Sequence, residues 1–105
     1  MTQPITTKQD VLNILGKNST RLRALGVRRL GLFGSFVRGE QKPLSDVDLL
    51  IEFDPEMKTF DGFMNLSFLL EDFLGRKVEL VTVESLSPYI GPHILEEVEY
   101  VSLAA

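Results

Sequence analysis

The stretch LGLFGSFVRGEQKPLSDVDLLIEF, Leu30 to Phe53, decides the fold. It opens in an apolar run that ends at a glycine-serine pair, Gly34 and Ser35, and closes in a second apolar run that carries Asp46 and Asp48. Short apolar runs bounded by glycine and polar loops read as buried strands. The run VRRLGLF, residues 27–33, is therefore expected to be a first strand and DVDLLIEF, residues 46–53, a second. Ser35 to Arg38 is long enough for one helical turn closed by Gly39, and EQKPLS is a polar loop with a proline. Two carboxylates in the greasiest part of the chain are out of place unless a cation meets them there.

Outward from this stretch, residues from about Thr7 to Leu25 set Val11, Leu12, Ile14, Leu15, Leu22 and Leu25 at roughly helical spacing. Thr7 can cap the start, Gly26 can stop the end, and Gly16 to Thr20 weakens the middle. TFDGFMNLSFLLEDFLG lines Phe60, Phe63, Met64, Leu66, Leu69, Leu70, Phe73 and Leu74 along one broad stripe, with Gly75 in C-cap position, which predicts a helix facing a core. KVELVTV, residues 77–83, alternates as a third strand. SLSPYIGPHILEEVEYVSL begins with two prolines and is expected to end in a short helix, Pro92 to Val98, followed by a tail. The order α, β, short α, β, α, β, α predicts an α/β (α+β) class.

Composition limits the possible partners. A chain of 105 residues, 44% hydrophobic, has room for a single domain spanning 1–105 and no second core. Its formal charge of −4 disfavours binding along a nucleic-acid backbone, and no sequence-specific nucleic-acid contact is expected. Without cysteine there is no disulfide, thiolate zinc site or cysteine nucleophile. No signal peptide or long apolar span is legible, so a cytoplasmic protein with no membrane partner is expected. Arg21, Arg23, Arg28 and Arg29 form one basic cluster, which reads as a solvated face.

Strand side chains alternate faces, so Asp46 and Asp48 are expected to point one way while Val47 and Leu49 point into the core. Carboxylates held that close repel unless a cation neutralises both, and hard divalent ions, chiefly Mg²⁺, are suited to such oxygen ligands. Glu79, on the next strand, adds a third acid. Paired divalent ions clamp the attacking and leaving oxygens of an in-line displacement at phosphorus. Gly34, lacking a Cβ, lets backbone approach a ligand, Ser35 offers a hydroxyl and N–H groups, and Arg38, one turn on, suits a β- or γ-phosphate. Neither a P-loop nor a G-x-G-x-x-G pattern is present.

Gly34-Ser35, ten intervening residues, Asp46-Val47-Asp48 and a later strand acid at Glu79 together resemble the minimal nucleotidyltransferase family of the DNA polymerase β superfamily. The likeness runs through VRRLGLFGSFVRGE, SDVDLLIEF, KVELVT and ILEEVEYV. It implies a polymerase β-like fold, a small mixed sheet flanked by helices. Asp46 and Asp48 would be metal ligands, and Gly34 and Ser35 would hold the phosphates of ATP. Glu79 stands where aspartate is commoner in the family, either as a further Mg²⁺ ligand or as the base that orients the incoming hydroxyl. Family members transfer a nucleoside monophosphate to a hydroxyl, and many are antitoxins that adenylylate a tyrosine of a HEPN-domain toxin partner. The alternative is a non-catalytic antitoxin that silences such a partner by occlusion.

Overall fold

The computed structural model describes residues 5–103. The two apolar runs on either side of the glycine-serine pair form the centre of a four-stranded sheet. β1, Val27–Phe33, and β2, Val47–Phe53, pair antiparallel, with Leu30 opposite Ile51 and Phe33 opposite Asp48. β3, Val78–Thr82, lies parallel to β2, with Asp48 in register with Glu79. β4, Glu99–Tyr100, adds antiparallel to the other edge of β1, giving the order β3-β2-β1-β4. The expected small mixed sheet flanked by helices is what forms.

Each helix has a local cause. α1, Lys8–Lys17, starts in a capping box in which the Thr7 hydroxyl accepts from the Asp10 N–H and the Asp10 carboxylate accepts from the Thr7 N–H. α3, Ser35–Arg38, is a single turn between Gly34 and Gly39. α4, Phe60–Leu74, is capped by Thr59 and ends at Gly75 with φ +63°. It provides the crossover that a parallel β2–β3 pair requires. α5, Gly91–Glu97, leads into β4. No helix among the described residues is long and apolar enough to cross a membrane.

Four expectations need correction. The first helix is two, α1 and then α2, Ser19–Ala24, because the Asn18 side-chain amide donates to the Ile14 carbonyl and its backbone leaves the helical range. β2 begins at Val47, so Asp46 is the last residue of the loop. The tail after α5 pairs with β1 instead of trailing off, and the Val101 N–H donates to the Leu30 carbonyl at 2.7 Å. Phe60, placed on the core stripe, is 76% exposed, whereas Leu66, Leu70 and Leu74 form the buried line of α4.

The core lies on one face of the sheet. Val47, Leu49, Ile51 and Phe53 of β2 join Leu30 and Leu32 of β1, Val78 of β3 and the helical Val11, Leu15, Leu22, Leu66, Leu70 and Leu74. Full burial of such a side chain is worth about 1.5–3 kcal/mol, so β2 is held firmly along its length. Alternation then puts Asp48 and Glu79 on the opposite face, with Leu50 between the strand ends.

Candidate active site

The site is built where β1 gives way to α3. Phe33 closes β1 opposite Asp48, and Gly34 follows with φ +79° and ψ −151°, backbone that residues with a side chain rarely adopt. The Gly34 carbonyl accepts the Val37 and Arg38 N–H groups at 3.1 and 3.2 Å, which turns the chain sharply into α3. A Cβ on Gly34 would overlap the Asp48 carboxylate, with Cγ only 2.9 Å away. The bare backbone of Gly34 therefore lies directly on Asp48. Ser35, half-buried, is the first residue of the turn.

The three predicted acids are neighbours here. Asp46 and Asp48 are half-buried, and Glu79 is exposed on the neighbouring strand. The Asp48 carboxyl is pushed up to about 6, first by burial, then by the charge and hydrogen bonding of Glu79 and the charge of Asp46, with Arg38 opposing. Asp48 and Glu79 are in register on adjacent strands, so the charge of Glu79 bears directly on Asp48. Among the described residues no group of three acidic, histidine or cysteine side chains forms a ready-made metal cage. The acids are neighbours, and their shared charge repels.

Arg38 stands at the edge of the same turn, about half exposed. Its Nε donates to Glu40 Oε1 at 2.6 Å, and its Nη1 donates to Glu97 Oε1 and Oε2 at 3.1 and 3.0 Å. Glu97 also accepts the Gly34 N–H at 2.9 Å. Sequence reading missed Glu97 as a site residue: it lies within ILEEVEYV, but 63 residues from Gly34, and nothing local ties it to the turn.

Arg76 was missed as well. Its guanidinium donates to the backbone carbonyls of Ile5, Lys42, Pro43 and Ser45, at 2.7 to 3.3 Å, and lies 5.1 Å over the Phe36 ring of α3. It thereby pins the loop that delivers Asp46 beside Asp48. The only signal in the sequence is an arginine between a helix-stop glycine and a strand. Arg76→Ala is expected to cost about 2–3 kcal/mol, since it removes several charge-assisted hydrogen bonds, and to open residues 41–45 to protease. Arg76→Lys, with no planar fork, should restore little. Urea unfolding of both variants checks this, and an unchanged midpoint in Arg76→Ala would refute the clamp.

The basic cluster is largely occupied within the chain. Arg21 lies over the Phe73 ring at 5.8 Å, Arg29 over Tyr100 at 3.9 Å, and Arg23 donates to the Leu103 carbonyl at 3.1 Å. The last of these tethers the segment after β4 to α2.

Comparison with known proteins gives the family and the fold. Residues 12–101 match the model of the nucleotidyltransferase domain. The chain is 43% identical over 96 residues to the protein adenylyltransferase MntA of Thermococcus cleftensis, covering 90% of this chain and 96% of that one. A solved structure described as a candidate minimal nucleotidyltransferase superposes with a TM-score of 0.77 at 29% identity, covering 90% of this chain and 95% of the other. A chain from the complex of tri-AMPylated Shewanella oneidensis HEPN toxin with MNT antitoxin shares the fold at a TM-score of 0.63 and 19% identity, covering 91% of this chain and 72% of that one.

Proposed function

Because this chain belongs to the nucleotidyltransferase domain family, we propose that it transfers AMP from ATP to a hydroxyl of a protein partner, a tyrosine of a HEPN-domain toxin, and so serves as the antitoxin of that pair. The observation that carries the reading is the backbone of Gly34 lying on the carboxylate of Asp48, with Glu79 in register beside it. That arrangement sets the bare backbone of the turn against a cluster of acids. The 43% identity to a protein adenylyltransferase supports the choice of a protein acceptor, and the fold shared with a chain of a HEPN–MNT complex is in keeping with the partner. A cytoplasmic site of action goes with this role.

Asp46, Asp48 and Glu79 present only carboxylate oxygens, the donors that hard divalent cations take, and a bound Mg²⁺ pair would supply charge neutralisation to the phosphates. The chain's own residues do the rest. Gly34 lets the turn lie against Asp48, Ser35 offers its hydroxyl and the N–H of the turn, and Arg38 adds a fixed positive charge. The acceptor oxygen bonds to the α-phosphorus as the bond from that phosphorus to the α–β bridging oxygen breaks. The electron pair of that bond leaves with pyrophosphate. Glu79, exposed on β3, takes the proton of the hydroxyl.

Mass spectrometry of a HEPN-domain toxin after incubation with this chain, ATP and Mg²⁺ tests the reading. The expected result is the mass of one or more adenylyl groups on a tyrosine, absent when Asp46 and Asp48 are both alanine. A toxin neutralised without any mass change, equally well by the double variant, would replace transfer by occlusion.

A further inference from the structure

We infer that Glu97 is a positioning residue for the phosphate-binding turn, acting on Gly34 and Arg38 from the end of the C-terminal helix; the inference rests on the reading that this turn takes ATP.

The pairing of β4 with β1 sets Gly31 opposite Tyr100 and Leu32 opposite Glu99. Continued by two residues, that register brings Gly34 opposite Glu97. There the chain is already helical, since α5 ends at Glu97, so no extended backbone is present to take the Gly34 N–H. The Glu97 side chain does so, at 2.9 Å. The carboxylate thus extends the β1 ladder by one bond, at a buried glycine whose backbone angles are unusual. A buried N–H left without a partner is costly, so this bond fixes the direction of the turn.

The same carboxylate holds Arg38. Both of its oxygens accept from Nη1, while Glu40 takes Nε, so the guanidinium is gripped from two sides. A guanidinium has five N–H donors in a rigid fork, and among the described residues the Nη2 pair has no partner. An arginine held in this way offers a ready pair of donors to an anion without first losing side-chain freedom. Glu97, with its side chain 25% exposed against 49% for Arg38, is the better anchored member of the pair. Glu97 already satisfies the Gly34 N–H and Arg38 Nη1, so in this inference the carboxylate stays in place and Nη2 of Arg38 meets the nucleotide.

Two variants separate the two contacts. Glu97→Gln keeps an oxygen for the Gly34 N–H and loses the charge that grips Arg38, whereas Glu97→Ala loses both. With both variants shown to be folded by urea unfolding, Glu97→Gln is expected to weaken the affinity for ATP with Mg²⁺, read by titration calorimetry, by about tenfold, the scale of one charge-assisted contact. In an Arg38→Ala background the same change should have no further effect, which a merely structural role would not produce. Without nucleotide, the Gly34 amide should exchange slowly in the wild type and in Glu97→Gln, and fast in Glu97→Ala.

Unchanged or tighter ATP binding by Glu97→Gln would overturn the inference, the latter by making the carboxylate a placeholder that the triphosphate displaces. So would a Gly34 amide that stays protected in Glu97→Ala. Should the wild type bind no ATP, the proposed function falls, and the exchange of the Gly34 amide still decides whether Glu97 positions the turn.

Discussion

Asp48→Asn is expected to lower AMP transfer by about three orders of magnitude and, in the same molecule, to make the metal-free protein more stable at pH 7. The first effect follows from removing one carboxylate of the proposed cation-binding set, worth several kcal/mol of transition-state stabilisation at about 1.4 kcal/mol per tenfold in rate. The second follows from the position of Asp48, half-buried with Glu79 in register and Asp46 nearby, which pushes its carboxyl from 3.8 up to about 6. A carboxyl raised by folding favours the folded state fully below pH 3.8, and that contribution is lost as pH climbs through 6. At pH 7 the folded chain therefore carries an ionised group that the unfolded chain holds more comfortably. The cost is on the order of 1–2 kcal/mol once the water reaching this half-exposed side chain is allowed for.

Asparagine keeps the shape and has no charge to bury. In urea with a chelator, Asp48→Asn should unfold later than the wild type at pH 7, and the gap should close towards pH 4. A wild type as stable as the variant at pH 7 would show that the acids do not strain one another. Added Mg²⁺ should stabilise the wild type more than the variant, because an ion bound only by the folded state shifts the equilibrium by mass action.

The two effects explain why the local pattern in the sequence looked wrong before the site was considered. Asp46-Val47-Asp48 violates the rule for a buried strand because the strand is tolerated at a cost and anchored by Leu49, Leu50 and Ile51, all buried. Such violations are legible in a sequence, and so were Gly34, Gly39, Thr7 and Gly75, whose roles depend on neighbours a few residues away. The weak middle of the first helix, Gly16 to Thr20, was legible too, but not that an Asn18 side-chain hydrogen bond to Ile14 would split it in two. β4 was also hidden, since a two-residue strand carries no alternation to count. Glu97 and Arg76 lie furthest from view. Their partners are 31 to 71 residues away, and each acts on backbone groups that any residue could have presented. What completes the site is thus supplied by the fold, while what performs the chemistry is written locally.

Gly34→Ala provides the sharpest separation of these two kinds of information, with an expected loss of transfer of at least about a hundredfold, the scale of a 1 Å misplacement of reacting groups. Two independent penalties meet at this residue. Its φ of +79° with ψ of −151° lies in a region held almost only by glycine, which costs about 1–3 kcal/mol for any other residue. The added methyl would also overlap the Asp48 carboxylate, so either the turn or Asp48 must move. Gly39→Ala is the control. Gly39 also has a positive φ, +71°, but a Cβ there meets nothing within 4 Å. It should therefore lose about 1–2 kcal/mol from left-handed backbone alone, with transfer nearly intact. If the two variants lost the same stability and the same activity, contact with Asp48 would be irrelevant and only backbone strain would matter. If Gly34→Ala alone loses transfer, and loses it beyond what its unfolding midpoint accounts for, the closeness of this one glycine to this one carboxylate is what the site requires.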